Sequence, residues 1–139
     1  MNGEKRFADQ RDCSFYVFDL KLQGYAKPGI SLNVEKRADE VYGDLYLEKV
    51  YGTRAEAFLL EQAVLDATRG SASIPDLLAE WGGRSEVRQM HVHDLVAISE
   101  RLISEMEELG MWEFAARYVP MTAAQRAICQ QRALEVVAA

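Results

Sequence analysis

The sequence predicts an α+β fold: a small three-stranded, mostly antiparallel sheet flanked by helices in the order β-β-α-β-α, followed by a helical C-terminal region. Two observations support this class. Before residue 52, short segments are rich in aromatic and β-branched residues or alternate between polar and apolar residues, which is typical of strands. After residue 90, apolar residues recur every three to four positions, which is typical of amphipathic helices.

Three strands are predicted in the first half of the chain. Residues 14–20 (SFYVFDL) are aromatic and β-branched, and a turn ending at Gly24 leads into a second strand at 25–31. Because Pro28 has no N–H group, this second segment is predicted to form an edge, a bulge or the end of a strand. Residues 45–51 (LYLEKVY) alternate with period two and predict the third strand.

Two helices are predicted around the third strand. Asn33 can cap a short helix over residues 34–42, because its side chain can accept a hydrogen bond from the first turn. The pattern Thr53-x-x-Glu56 is a capping box, and it predicts a longer helix that continues to about Thr68.

The second half of the chain is predicted to be helical. Small residues over 70–75 interrupt the pattern, and apolar spacing then predicts a helix over 94–109 that ends at Gly110. The pattern Thr122-x-x-Gln125 predicts the start of a last, alanine-rich helix.

The length and composition are those of one globular domain. The chain has 139 residues, 49% of them hydrophobic and 27% charged, which excludes intrinsic disorder. We divide it into an N-terminal extension over 1–13, a main domain over 14–90 and a helical C-terminal extension over 91–139. Cys13 and Cys129 lack a CxxC partner and are predicted to be reduced thiols. With no apolar run of ~18 to 20 residues and no signal-peptide pattern, we expect a cytoplasmic protein without a membrane partner.

The charge distribution restricts where a polyanion can bind. The net charge is −6, which argues against a protein that coats nucleic acid by bulk electrostatics. Residues 1–69 hold 10 Lys and Arg against 12 Asp and Glu, whereas residues 70–139 hold 6 against 10. All five lysines lie at or before Lys49. A basic groove is therefore expected only in the first half.

Four features of the first half carry polar or charged groups at fixed spacings. They are Tyr16 on the first predicted strand, Tyr25 and Lys27 on the second, Arg37 on the short helix and Glu61 on the next helix. An arginine offers a planar fork that matches phosphate, and a carboxylate is a natural ligand of Mg²⁺ or Mn²⁺. A tyrosine or lysine can accept the proton of an attacking water if its pKa is lowered.

The order and spacing of these residues resemble the GIY-YIG nuclease domain family, most closely the phage and bacterial branch whose second motif reads Tyr-x-Lys-x-Gly. Ser14-Phe15-Tyr16 stands where the family has Gly-Ile-Tyr, and Lys27-Pro28-Gly29 begins eleven residues after that tyrosine, where the family has Tyr-Ile-Gly. Arg37 follows the second motif by eight residues, and Glu61 matches the late helical glutamate of the family. The resemblance covers about residues 14–69.

The resemblance implies a metal-dependent endonuclease that hydrolyses DNA phosphodiester bonds, with one Mg²⁺ or Mn²⁺ ion on Glu61. The implied catalytic residues are Tyr16, Tyr25, Lys27, Arg37 and Glu61. The residues expected to bind substrate are Gly29, Ser31 and Lys36. Which tyrosine or lysine activates the nucleophile stays open. DNA is the expected partner, and the C-terminal helices are expected to form a homodimer, bind a protein partner or help to hold DNA.

Other interpretations of the same residues remain open. Glu61 lies on an apolar helical stripe, where a carboxylate is costly unless it is paired or metal-bound, so the structural alternative is an ion pair with Arg37. Departures from the family pattern at Ser14 and Pro28, together with the acidic charge, favour a catalytically inactive interaction or regulatory module as the alternative function. Chance matches in a general α+β protein are the third interpretation.

Two further segments contain residues that are common in binding sites. His91 and His93 would share a face in a strand, but no third ligand is near, and a helix start at this point is the preferred interpretation. The segment Gly82–Glu86 lacks the Lys-Ser/Thr of a phosphate-binding loop. In the resembled branch a Gly-x-x-Glu segment often follows the catalytic helix, so we expect the closing strand of the domain here.

Overall fold

A computed structural model describes residues 11–21, 24–72 and 86–138, and in these residues the predicted α+β class is confirmed. The elements in chain order are β1 (Cys13–Leu20), β2 (Tyr25–Ser31), α1 (Val34–Val41), β3 (Gly43–Tyr51), α2 (Arg54–Ala67), β4 (Arg88–Gln89), α3 (Val92–Leu109), α4 (Met111–Tyr118) and α5 (Ala123–Ala138). The three predicted strands and the helices between and after them are all present, with ends within two residues of the prediction.

The sheet is antiparallel and has the strand order β3-β1-β2-β4. The fourth strand was not among the three strands of the prediction. It has only two residues, Arg88 and Gln89, which is too short for a periodic pattern. Because β4 pairs with β2 only at Tyr25 and Ala26, Pro28 lies where β2 forms the sheet edge among the described residues, as its missing N–H group requires.

The two faces of the sheet are covered by different helices. On one face, Phe15 and Val17 of β1 share a core with apolar residues of α2, α3 and α4. On the other face, Tyr16, Phe18 and Leu20 of β1 pack with apolar residues of α1. Alternation along β1 therefore divides the core into two clusters, and the candidate tyrosine belongs to the one under α1.

A buried arginine connects β4 to the end of α2. The Nε atom of Arg88 donates a hydrogen bond to the Thr68 hydroxyl at 3.0 Å, and its Nη2 atom donates to the Leu65 carbonyl at 3.2 Å. Burial lowers the pKa of Arg88, and the nearby charge of Glu86 opposes this effect. These bonds satisfy a carbonyl in the last turn of the helix. They also fix the segment that carries Glu86.

The C-terminal helices extend the apolar core and then leave it. The helices α3 and α4 contribute Leu95, Leu102 and Phe114 to the core that also contains Phe15. The last helix, α5, packs against α4. No helix of the described residues is long and apolar enough to cross a membrane. The domain boundaries predicted from the sequence stay predictions, and residues 1–10 of the N-terminal extension and 82–85 of the expected closing segment lie outside the described residues.

Candidate active site

The candidate site is built around the hydroxyl group of Tyr16. Tyr16 on β1 lies opposite Gly29 on β2, and its side chain is on the same face as that of Lys27, which pairs with Phe18. The Lys27 ammonium donates a hydrogen bond to the Tyr16 hydroxyl at 3.1 Å. Both side chains are almost fully buried, each with 1% of its surface exposed. Adjacent antiparallel strands thus bring together two residues that are eleven positions apart.

Lys27 is held as a cation by a second partner. Its Nζ atom forms an ion pair with Oε2 of Glu86 at 2.8 Å. Burial disfavours the charge on Lys27, but the interactions with Tyr16 and Glu86 outweigh burial and raise the pKa of Lys27 above its ordinary value. Lys27 therefore donates hydrogen bonds at neutral pH and does not act as a base in this state.

Arg37 of α1 supplies a second cation to the same hydroxyl. Burial opposes the charge on its guanidinium, but hydrogen bonds to Tyr16 and Glu40 raise the pKa of Arg37 above its ordinary value. The ion pair with Glu40 measures 3.0 Å from Nη1 to Oε2. The Tyr16 hydroxyl oxygen thus accepts from two cations. Such donors stabilise negative charge that develops on an oxygen.

Glu61 of α2 is a buried carboxylate beside this cluster. Its residue surface is 6% exposed. Burial, then the neighbouring charge of Glu86, raise the pKa of Glu61 to about 7, against the opposing effects of Lys27, Gln62 and Arg54. The charges that act on Glu61 thus come from the Lys27–Glu86 pair and from Arg54. The ion pair of Arg37 is with Glu40.

Position 29 has no room for a side chain, because the ring of Tyr16 lies over it. A Cβ atom at this position would overlap the Tyr16 hydroxyl and the adjacent ring carbons. A side chain here would push the hydroxyl away from Lys27 and Arg37. The role of Gly29 in substrate binding stays a prediction. In the structure, the missing side chain at Gly29 leaves space for the ring and hydroxyl of Tyr16.

The other predicted residues lie at the rim of the site or away from it. The hydroxyl of Ser31 bonds to the backbone of Asn33 at the start of α1, at 2.9 and 3.0 Å. Lys36 is exposed, and it lines the same surface cavity as Arg37. Tyr25 lines a different cavity, whose walls contain no other member of the predicted catalytic set. Tyr25 also packs against the apolar cluster that contains Tyr16, and its catalytic role stays a prediction.

The two histidines belong to a helix start, as preferred from the sequence. Nδ1 of His91 accepts a hydrogen bond from the backbone N–H of His93 at 3.2 Å and thereby caps α3. The two rings stack with their centroids 5.0 Å apart. Among residues 11–21, 24–72 and 86–138, no group of three or more His, Cys, Asp and Glu side chains could hold a metal ion.

The residues around Glu61 fit a divalent ion bound mainly by water. Mg²⁺ usually keeps several waters and takes one or two carboxylates from the protein, so a three-ligand cage is not required. Glu61 and Glu86 are two carboxyl groups close enough for one to raise the pKa of the other. A cation at Glu61 would relieve that repulsion, and the carboxylate oxygens are the hard ligands that Mg²⁺ and Mn²⁺ prefer.

Two site residues were not predicted as such from the sequence. Glu86 is 59 positions from Lys27 and was assigned only to an expected closing strand. Arg54, the first residue of α2, is seven positions before Glu61 and therefore lies on the same helical face. That spacing was visible in the sequence, whereas no sequence signal connects Glu86 to Lys27.

Comparison with known proteins adds no assignment. No family model, no curated protein and no solved structure matches this chain.

Proposed function

We propose that this protein is a metal-dependent endonuclease of GIY-YIG type that hydrolyses DNA phosphodiester bonds at the cluster around Tyr16. The observation that supports this proposal best is the meeting of two cations, Lys27 and Arg37, on one tyrosine hydroxyl beside the buried carboxyl group of Glu61. Phosphodiester hydrolysis needs a proton acceptor for water and positive charge near the phosphoryl oxygens. This cluster holds both.

Each residue of the cluster has a separate role in the proposed reaction. Because Lys27 is protonated, the base of the proposed reaction is the phenolate of Tyr16: Lys27 stabilises the negative charge left when the hydroxyl gives its proton to solvent, and the phenolate oxygen then takes the proton of an attacking water and becomes neutral again. Arg37 is only partly buried, so its guanidinium can also reach a phosphoryl oxygen of the substrate. Glu86 acts through Lys27, whose ammonium it orients.

Glu61 is the proposed ligand of the divalent ion. When bound there, Mg²⁺ or Mn²⁺ supplies charge neutralisation on the phosphoryl group and at the leaving oxygen. Because the pKa of Glu61 is raised to about 7, protons compete with the ion for this carboxylate near neutral pH.

The alternative function is a catalytically inactive module of the same fold. It is favoured by the burial of Tyr16 and Lys27, both 1% exposed, since a fully covered polar network can also serve only to hold two strands and a helix together. In that case the cluster supports the fold, and binding takes place elsewhere.

The last helix is the proposed surface for a protein partner or a second copy. Several of its apolar side chains are exposed: Ile128, Leu134, Val136 and Val137. An apolar surface of this kind is typical of interaction sites.

The substitution Tyr16→Phe tests the proposed function with the smallest change. It removes only the oxygen on which the two cations converge and keeps the ring that stacks on Phe18 at 4.0 Å. We expect the rate of plasmid nicking in Mg²⁺ or Mn²⁺ to fall by at least ~10²-fold, the cost of losing a general acid–base group. Tyr46→Phe is the matched control, because Tyr46 is exposed on β3. Equal nicking by Tyr16→Phe and the control would contradict the proposal, and a wild-type protein that nicks no DNA in either ion would favour the inactive module.

A further inference from the structure

A surface cavity of about 360 Å³ opens beside the tyrosine cluster, between the end of β2, α1 and the start of α2. Its charged lining consists of three cations, Lys36, Arg37 and Arg54, and one carboxylate, Glu40. The cavity thus concentrates positive charge in a protein whose net charge is −6. Clefts of one sign raise the local concentration of ligands of the opposite sign.

Arg54 carries a buried donor that the described chain does not use. Its Nε atom is buried and has no hydrogen-bond partner among residues 11–21, 24–72 and 86–138. A buried donor without a partner is unfavourable, and native proteins rarely keep one without a reason. If the guanidinium turns towards the cavity, a bound anion can give this donor the acceptor that it lacks.

The position of Arg54 on the helix is also one that favours an anion. It is the first residue of α2, where Thr53 caps the helix by accepting a hydrogen bond from the Glu56 backbone N–H at 3.3 Å. The positive end of the helix dipole disfavours a cation here and attracts negative charge. An anion bound here would interact favourably with the end of the helix and with the Arg54 guanidinium.

The distance to Glu61 suits a second phosphate of the same strand. Arg54 and Glu61 are seven residues apart on one face of α2, which corresponds to about 10 Å along the helix axis. Successive phosphates of one DNA strand rise about 3.4 Å along the helix axis, so residues about 10 Å apart on one helix can contact different phosphates of the same strand. Arg37 lines the cavity and also bonds to Tyr16, so the cavity adjoins the tyrosine cluster.

We propose that Arg54 and Lys36 bind a backbone phosphate of the substrate strand, within about three nucleotides of the phosphate that is cleaved. The proposal rests on the proposed function for the identity of the polymer. It places the substrate strand so that it runs from the cluster around Tyr16 into the cavity that Lys36 and Arg54 line. A backbone phosphate carries no base identity, so this contact adds affinity and position without sequence preference.

The salt dependence of DNA binding tests this proposal in the full-length protein. Binding of a short DNA duplex is measured in EDTA over ~50 to 200 mM KCl, where each phosphate contact contributes about 0.9 to the slope of log K against log[KCl]. We expect Arg54→Gln to lower the magnitude of that slope by about 0.9. Arg54→Lys keeps the charge and should restore the slope. Arg101→Gln is the matched control, because Arg101 is exposed on α3, and it should leave the slope unchanged.

A second variant tests the same cavity in case Arg54→Gln fails to fold. Lys36 is exposed, so Lys36→Gln removes a charge from the same cavity without changing the core, and it should also lower the slope; because Arg54 and Lys36 share one phosphate, the two substitutions together should lower it by no more than about 0.9. Slopes of Arg54→Gln and Lys36→Gln that equal the wild-type slope would overturn the proposal. Binding of inorganic phosphate by a wild-type protein that binds no duplex would assign the cavity to a free anion, which also overturns it.

This test is separable from that of the proposed function, because binding is measured without metal and without cleavage. A wild-type protein that shows the predicted slopes but nicks no DNA in Mg²⁺ or Mn²⁺ supports the phosphate site and contradicts the nuclease. A wild-type protein that nicks DNA while Arg54→Gln and Lys36→Gln keep its slope supports the nuclease and contradicts the phosphate site.

Discussion

Replacing Glu61 by glutamine should stabilise the metal-free protein, and the gain should depend on pH. The wild-type carboxyl group is buried and lies near Glu86, and both effects raise its pKa from 4.5 to about 7. The folded protein therefore binds this proton more tightly than the unfolded chain does. Between pH 4.5 and 7 the stability of the wild-type protein falls as pH rises, because folding keeps a group protonated that the unfolded chain ionises.

The size of the effect follows from the change in pKa. A shift of about 2.5 units at about 1.4 kcal/mol per unit gives an upper value of about 3 kcal/mol. Glutamine has the same shape and no charge, so Glu61→Gln should be more stable than the wild type by up to ~3 kcal/mol at pH 8 and by little at pH 4. For a chain of this size this corresponds to roughly 10 °C in Tm.

Thermal melts in EDTA at pH 4, 6 and 8 measure this difference. Glu100→Gln on the exposed face of α3 is the matched control, and its effect on Tm should be small at every pH. The reasoning would be refuted if Glu61→Gln were less stable than the wild type at pH 8. It would also be refuted by a difference in Tm that does not grow between pH 4 and pH 8, since a purely steric effect of the substitution has no reason to follow pH.

The remaining predictions concern the same cluster. Glu86→Gln leaves the buried Lys27 ammonium without its charged partner, so urea unfolding should show a loss of roughly 2 to 3 kcal/mol, somewhat below that of a fully buried pair because Glu86 is partly exposed. Gly29→Ala places a methyl group on the Tyr16 hydroxyl, and overpacking should cost ~1 to 3 kcal/mol in the same assay together with most of the nicking activity. At subsaturating Mg²⁺ the nicking rate should rise about tenfold from pH 6 to pH 8 as Glu61 ionises. Because the ion binds only the ionised carboxylate, a higher Mg²⁺ concentration should move this rise to lower pH. A rate that is independent of pH over this range would contradict the last prediction.

The sequence predicted the elements well because each has a local cause. The capping groups Asn33 and Thr53 accept hydrogen bonds from backbone N–H groups of Lys36 and Glu56, and the helices begin where these side chains indicate. The two-residue strand β4 was not among the three strands predicted from periodicity, because pairing of Arg88 and Gln89 with β2 has no periodic signature; a closing strand was expected only from the resemblance, at 82–86.

The sequence predicted those residues of the candidate site whose spacing along the chain brings them close together in the fold. Tyr16 and Lys27 are brought together by a hairpin, and Glu61 could be singled out because a carboxyl group on an apolar helical stripe needs a partner. The ion pair between Lys27 and Glu86 spans 59 positions and depends on tertiary packing that no local pattern shows. Tyr25 lies two residues before Lys27 on the same strand, yet it lines a separate cavity. Alternation along a strand shows which face a residue lies on and does not show which cavity it lines.

The rate of plasmid nicking by the wild type and by Glu61→Gln tests the central proposal most directly. Both proteins are incubated with supercoiled DNA in Mg²⁺, in Mn²⁺ and in EDTA, at a pH above 7 where the wild-type carboxyl group is ionised. The proposal predicts metal-dependent nicking by the wild type and a decrease of at least ~10²-fold in Glu61→Gln, since the loss of a charge-stabilising group costs about 3 kcal/mol of barrier. A folded Glu61→Gln protein that nicks DNA at the wild-type rate would contradict the assignment of Glu61 as the metal ligand and the mechanism built on it.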